Sequence, residues 1–110
     1  MRYLVIAEGI DVTVPTTPAE AADFLEAVVV PSEELLAKLE ADGRIYGGSF
    51  AARRGGAAVV EAESNDDLNA LLTSIPIWGF SKFDVIPLQT FESRAAQDAS
   101  SAKALRAFAG

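Results

Sequence analysis

The stretch SIPIWGFSKFDVIPL occupies residues 74–88. Pro76 has no amide hydrogen to donate and its ring clashes with the turn before it, so the helical pattern upstream must stop here. Phe83, Val85 and Pro87 then alternate with Asp84, Ile86 and Leu88, which is the period of a strand. Between the two lie Trp78, the single tryptophan, and Phe80, in a short link where polar turn residues would suffice. Large aromatics bury about 150–250 Å² each. The link is therefore expected to plug the helix–strand junction or to roof an apolar pocket.

Working outward, Ser64 is placed to cap a helix over NDDLNALLTS, with Asp66 and Asp67 in its first turn and Leu68, Leu71 and Leu72 on one stripe. RIYGGSFAARRGGAAVVEAE, residues 44–63, reads as two strands joined around Arg53, Arg54, Gly55 and Gly56. Gly47 and Gly48 inside the first of them predict a bulge or the close approach of another backbone or a ligand. Further upstream, Thr17, Pro18 and Glu20 form a capping box with a proline start, and Ala21, Phe24, Leu25 and Val28 follow as one apolar stripe. Pro31 is expected to kink or break this helix, with Ser32 capping a second segment that carries Leu35, Leu36 and Leu39 and ends at Gly43. Tyr3 to Ala7 is the first strand, followed by a loop through Asp11 and Pro15.

The order is βαββαβ, the ferredoxin-like α+β arrangement: an antiparallel sheet with both helices on one face. Its last strand lies at an edge, where Pro87 is tolerated. The other face would be bare, with Val5, Val59 or their neighbours in need of cover. A second copy of the chain is the simplest cover, hence a homodimer or a higher homo-oligomer. Residues 1–92 form one domain and 93–110 an Ala-rich extension, either a helix docking through Leu105 and Phe108 or a tail.

Composition narrows the chemistry. The 110 residues contain no cysteine and no histidine, which removes disulfides, thiolate nucleophiles, Cys-based zinc sites and the commonest general base. The formal charge of −7 argues against nucleic acid as a partner. No apolar run approaches the roughly 20 residues needed to span a bilayer, and the N-terminus looks like a strand rather than a signal peptide. A soluble, cytoplasmic protein without membrane partners is the expectation. The carboxylates lack calcium-loop spacing and RRGG lacks the context of a phosphate loop, so no metal site is expected.

AESNDDLNALLTSIPIWGFSKFDVIPL, Ala62 to Leu88, resembles the muconolactone isomerase family: a capped helix, a hinge at Ile75-Pro76-Ile77, aromatics in the link and an alternating last strand. EELLAKLEADGRI, Glu33 to Ile45, is similar to the end of that family's first helix. The resemblance extends to about residue 92. It implies a dimeric α+β barrel, at times assembled into larger rings, and a cofactor-independent proton transfer on a small lactone. Other small proteins of this fold act on aromatic or polyketide-like molecules, so an isomerase or cyclase is the leading expectation. A non-catalytic ligand-binding or assembly module and a cofactor-free monooxygenase stand beside it.

Proton transfer next to a carbonyl needs a base near carbon and a donor near oxygen. Tyr46 is the candidate donor, sharing a face with Gly48 and Phe50 by strand alternation, and Glu26 is the candidate base. Phe24, Val28, Ser49, Phe50, Trp78 and Phe80 are the candidate substrate-binding residues. Tyr46 equally suits a core or interface, Glu26 a solvated helix face, and Arg53 and Arg54 a solvated hairpin tip.

Overall fold

A computed structural model describes residues 1–9 and 17–110; the expected loop through Asp11 and Pro15 lies outside them. The chain order is β1 (Arg2–Gly9), α1 (Pro18–Phe24), a π-helical turn (Leu25–Val29), α2 (Val30–Ala41), β2 (Ile45–Ser49), β3 (Gly55–Glu61), α3 (Asn65–Thr73), a 3-10 turn (Pro76–Phe80), β4 (Ser81–Leu88) and α4 (Phe91–Ala109). The four strands form one antiparallel sheet in the order β2-β3-β1-β4. This is the ferredoxin-like topology, with Pro87 on an edge strand as expected.

The predicted caps at Thr17 and Ser64 form. Thr17 Oγ1 accepts the Glu20 N–H at 3.2 Å, and Ser64 Oγ accepts the Asp67 N–H at 3.1 Å. Asp67 reaches back to accept the Glu63 N–H at 3.0 Å, so two otherwise unpaired donors are satisfied at the start of α3. Gly43, at φ +78°, closes α2 with Arg44 N–H on the Leu39 carbonyl, the left-handed exit that glycine adopts at least cost.

Pro31 does not break the helix. The widened turn at Leu25–Val29, where the Val30 N–H bonds the Leu25 carbonyl five residues back, carries the helix straight into α2. Widening the turn just before a proline relieves the clash with the preceding carbonyls that would otherwise end the helix. Ser32 is consequently not a cap. It lies inside α2, 3% exposed, where its hydroxyl donates to the Val28 carbonyl (2.7 Å) and accepts the Ile77 N–H (2.9 Å). One small side chain thus ties the first helical rod to the link after α3. Ser32→Ala leaves the Ile77 N–H without its partner, at a cost of about 1–3 kcal/mol; thermal unfolding should show a fall of several degrees, and an unchanged midpoint would refute the tie.

The hairpin differs slightly from expectation. Its turn lies at residues 50–54, with Ala52 in the left-handed region at φ 66°, and Gly55 (φ +125°) opens β3 rather than sitting at the tip. Gly47 is not at a bulge, since the β2–β3 register runs unbroken. Instead a Cβ there would collide with the Ala57–Ala58 backbone, so the predicted close approach of another backbone is what the position requires.

Register sorts the sheet faces. Tyr3, Val5 and Ala7 share the helix-covered face with Val60, Ala58 and Gly56 of β3 and with Pro87, Val85 and Phe83 of β4. Tyr3, Val5, Val60, Ile45, Leu39, Leu68, Leu72 and Ile75 are buried there. Val5 therefore belongs to the covered face, not the bare one, because odd-numbered β1 residues point toward the helices. The bare face carries the row Tyr46, Val59, Leu4 and Ile86. The C-terminal extension is a helix, and every residue of α4 is exposed.

Candidate active site

The covered face tapers. At the end near Met1, the row Ile45, Val60, Tyr3 and Pro87 is bulky, and its first three members are buried. The next row is Gly47, Ala58, Val5 and Val85. At the far end, the row Ser49, Gly56, Ala7 and Phe83 has almost no side-chain volume in its middle. Ala7, Gly56 and Ala58 are half-buried rather than buried, and Val85 remains 40% exposed. α1 and the π-helical turn contribute no buried residue. Small side chains thus make up the middle of this end of the covered face. Two open clefts lie at the other end, around Arg44 and Glu61 and fringed by the Arg44–Asp67 and Arg2–Glu61 ion pairs; one of them is lined in part by Ile45, Tyr46 and Val59.

The link aromatics divide the work between them. Phe80 meets Phe24 edge to face, ring centroids 5.1 Å apart and planes at 83°, the arrangement that sets the positive edge of one ring on the negative face of the other. Trp78 stacks obliquely on Phe83 at 4.5 Å and packs against the buried core. The indole therefore plugs the helix–strand junction, while Phe24, Phe80 and Val28 remain half-buried. Ser49 ends the floor row. Phe50 lies past the end of β2, its ring against Gly55 and under the Arg53 guanidinium at 4.6 Å. Arg53 also pairs with Glu8 at 3.0 Å, so the hairpin tip is braced to the end of β1.

The two candidate proton handlers stand apart. Tyr46 is on the bare face, 81% exposed, opposite Val59. Glu26 is exposed within the π-helical turn, two residues from both Phe24 and Val28 and so turned away from their stripe. Strand alternation alone grouped Tyr46 with Gly48 correctly but could not tell which face the helices would cover. The small floor at Ala7, Gly56 and Ala58 was missed because its members sit on separate strands and meet only through register. No group of three His, Cys, Asp or Glu among the described residues is placed to hold a metal ion, and none of their helices is long and apolar enough to cross a membrane.

The sequence profile of the muconolactone delta-isomerase family matches residues 1–94. The chain belongs to this family. A solved crystal structure of muconolactone isomerase superposes with a TM-score of 0.66 at 20% identity, over 82% of this chain and 90% of that one. At that identity the likeness speaks for the fold, an α+β sheet with helices on one face. No curated protein sequence matches closely enough to count as a relative. The family match ends inside α4, so most of that helix lies beyond it.

Proposed function

We propose that the protein is an isomerase of a small lactone, binding its ring in the hollow between the Ala7–Gly56–Ala58 floor and the wall of Phe24, Val28 and Phe80. The observation that carries this reading is the taper of the covered face in a member of the muconolactone delta-isomerase family. Apolar walls with a few polar groups at the margin suit a ring of that size, and Ser49 supplies a hydroxyl at the floor's edge. Phe50 closes the hairpin side, and Trp78 keeps the link rigid behind Phe80.

For the proton step the reading keeps Tyr46 as donor and Glu26 as base, without a cofactor. Because the two stand outside the hollow and away from each other in one subunit, a complete site draws them from different copies.

The test is complementation. Tyr46→Phe and Glu26→Gln should each abolish muconolactone turnover, followed by proton exchange in deuterated buffer, while mixed and reassembled subunits recover about a quarter of wild-type activity, as random pairing of a two-fold dimer requires. Turnover surviving in either single variant would remove that residue from the mechanism. A second reading, a binding module without chemistry, draws on the same separation of Tyr46 and Glu26 from the hollow. It predicts lactone binding in all variants and turnover in none, wild type included.

A further inference from the structure

We propose that Arg54 selects a carboxylate-bearing ligand, holding that group at the Ala7–Gly56 end of the covered face. The inference rests on the lactone reading above and adds to it the residue that reads the ligand's charge. The hairpin tip carries two arginines whose surroundings differ. Arg53 is already engaged: its guanidinium lies 4.6 Å over the Phe50 ring and pairs with Glu8 at 3.0 Å. Glu8 is in register with Gly55 and Lys82, so its side chain belongs to the bare side of the sheet. Arg54 starts on the other side. A Cβ on Gly9 would stand 3.3 Å from the Arg54 Cβ, and Gly9 follows Tyr3, Val5 and Ala7 in the odd-numbered, helix-facing series of β1. The stem of Arg54 therefore begins beside the last covered position of β1, about 7 Å along the strand from Ala7, a span comparable to an extended arginine side chain.

Its charge is unspent. Arg2, Arg44 and Arg53 each hold a carboxylate, on Glu61, Asp67 and Glu8, whereas Arg54 forms no ion pair among the described residues. Scarcity of anions is not the reason, since sixteen carboxylates face nine cations in this chain. Position is: the last rows of the covered face are Ser49, Gly56, Ala7 and Phe83, then Gly9 and Ser81, and none of these carries a carboxylate. The Ser81 hydroxyl is committed to the Ile77 carbonyl at 3.1 Å. A guanidinium is planar, permanently charged and shaped for two parallel hydrogen bonds to a carboxylate. Arg54 can give both to a ligand without surrendering a partner. The long-range field adds a requirement of its own. A chain of net charge −7 repels anions, so an anionic ligand needs a local cation, and a ring resting on Ala7 and Gly56 finds one at Gly9.

Steady-state kinetics and titration calorimetry on the full-length chain test this, with muconolactone and its neutral methyl ester as paired probes. Arg54→Gln should raise KM for the acid about tenfold, the low end for a hydrogen bond to a charged group because the site is exposed. The ester should be unaffected, and kcat for the acid should hold within about twofold, as loss of uniform binding requires. Arg54→Lys should recover part of the loss, since a point charge replaces the fork. Added salt should weaken acid binding in the wild type and not in Arg54→Gln. Lys82→Gln removes the same charge from the bare side and should leave the acid-to-ester ratio at its wild-type value. Absence of turnover with both probes would remove the isomerase reading alone; acid binding that exceeds ester binding, and does so only with Arg54 present, would still sustain the assignment. Equal affinity for acid and ester, a preference for the acid that survives Arg54→Gln, an equal loss in Lys82→Gln, or no binding of either probe would each overturn it.

Discussion

Replacing Ala7 with phenylalanine should abolish lactone turnover while leaving the protein folded. Ala7 lies half-buried in the middle of the floor, between Gly56 on β3 and Phe83 on β4. If the space above it is the substrate site, a phenyl ring occupies the volume the lactone needs. One misplaced methylene in a pocket shifts kcat/KM by about 10–200-fold, so a whole ring should exceed about 100-fold. The opposite outcome is equally readable. Were this end solid, the added ring would be overpacked and the fold would lose about 1–3 kcal/mol, visible as a lower unfolding midpoint in denaturant. Lost turnover with an unchanged midpoint supports the hollow; a lowered midpoint with turnover intact removes it.

The largest effect on stability is expected at Tyr3. It is 1% exposed, the most completely buried large side chain, and it pairs in register with Val60 and Pro87 over the buried leucines of α2 and α3. Its hydroxyl donates to Asn65 Oδ1 at 2.7 Å, tying the first strand to the first turn of α3. Tyr3→Ala should cost about 3–5 kcal/mol, the range for deleting a buried aromatic ring. Tyr3→Phe separates the ring from the hydroxyl and should cost about 1 kcal/mol, because Asn65 is exposed and turns to water. Equal losses in the two variants would contradict this division. Urea denaturation with unchanged slope between variants is the measurement.

These two sites mark the ends of one gradient. Bulky buried residues gather at the Met1 end and small, half-buried ones at the Ala7 end. The π-helical turn lies in the part of the helical rod that buries nothing. Ser32, just beyond it, holds the link that presents Phe80 to Phe24. Ser32 and Phe83 thereby brace the link on either side of Phe80.

Much of this was legible in the sequence because it is local. Thr17 and Ser64 announce helix starts through groups three residues away, Gly43 a helix end, and Pro87 an edge strand; each depends on neighbours a few bonds distant. Alternation in β4 and the leucine stripe of α3 gave the element order, and the order gave the topology and the family resemblance. What depended on distant partners was not legible. Whether Pro31 would end its helix turned on a wider turn ahead of it, and the role of Ser32 turned on Ile77, 45 residues away. Which face Val5 and Tyr46 occupy required knowing where the helices lie. That α4 stands clear of its own body follows from the direction of a two-residue joint, which no periodicity encodes. Sequence determined the elements and their order through short-range sterics and capping, whereas the small-residue end of the covered face, the bare face and the direction of α4 were decided by register and packing between segments far apart along the chain.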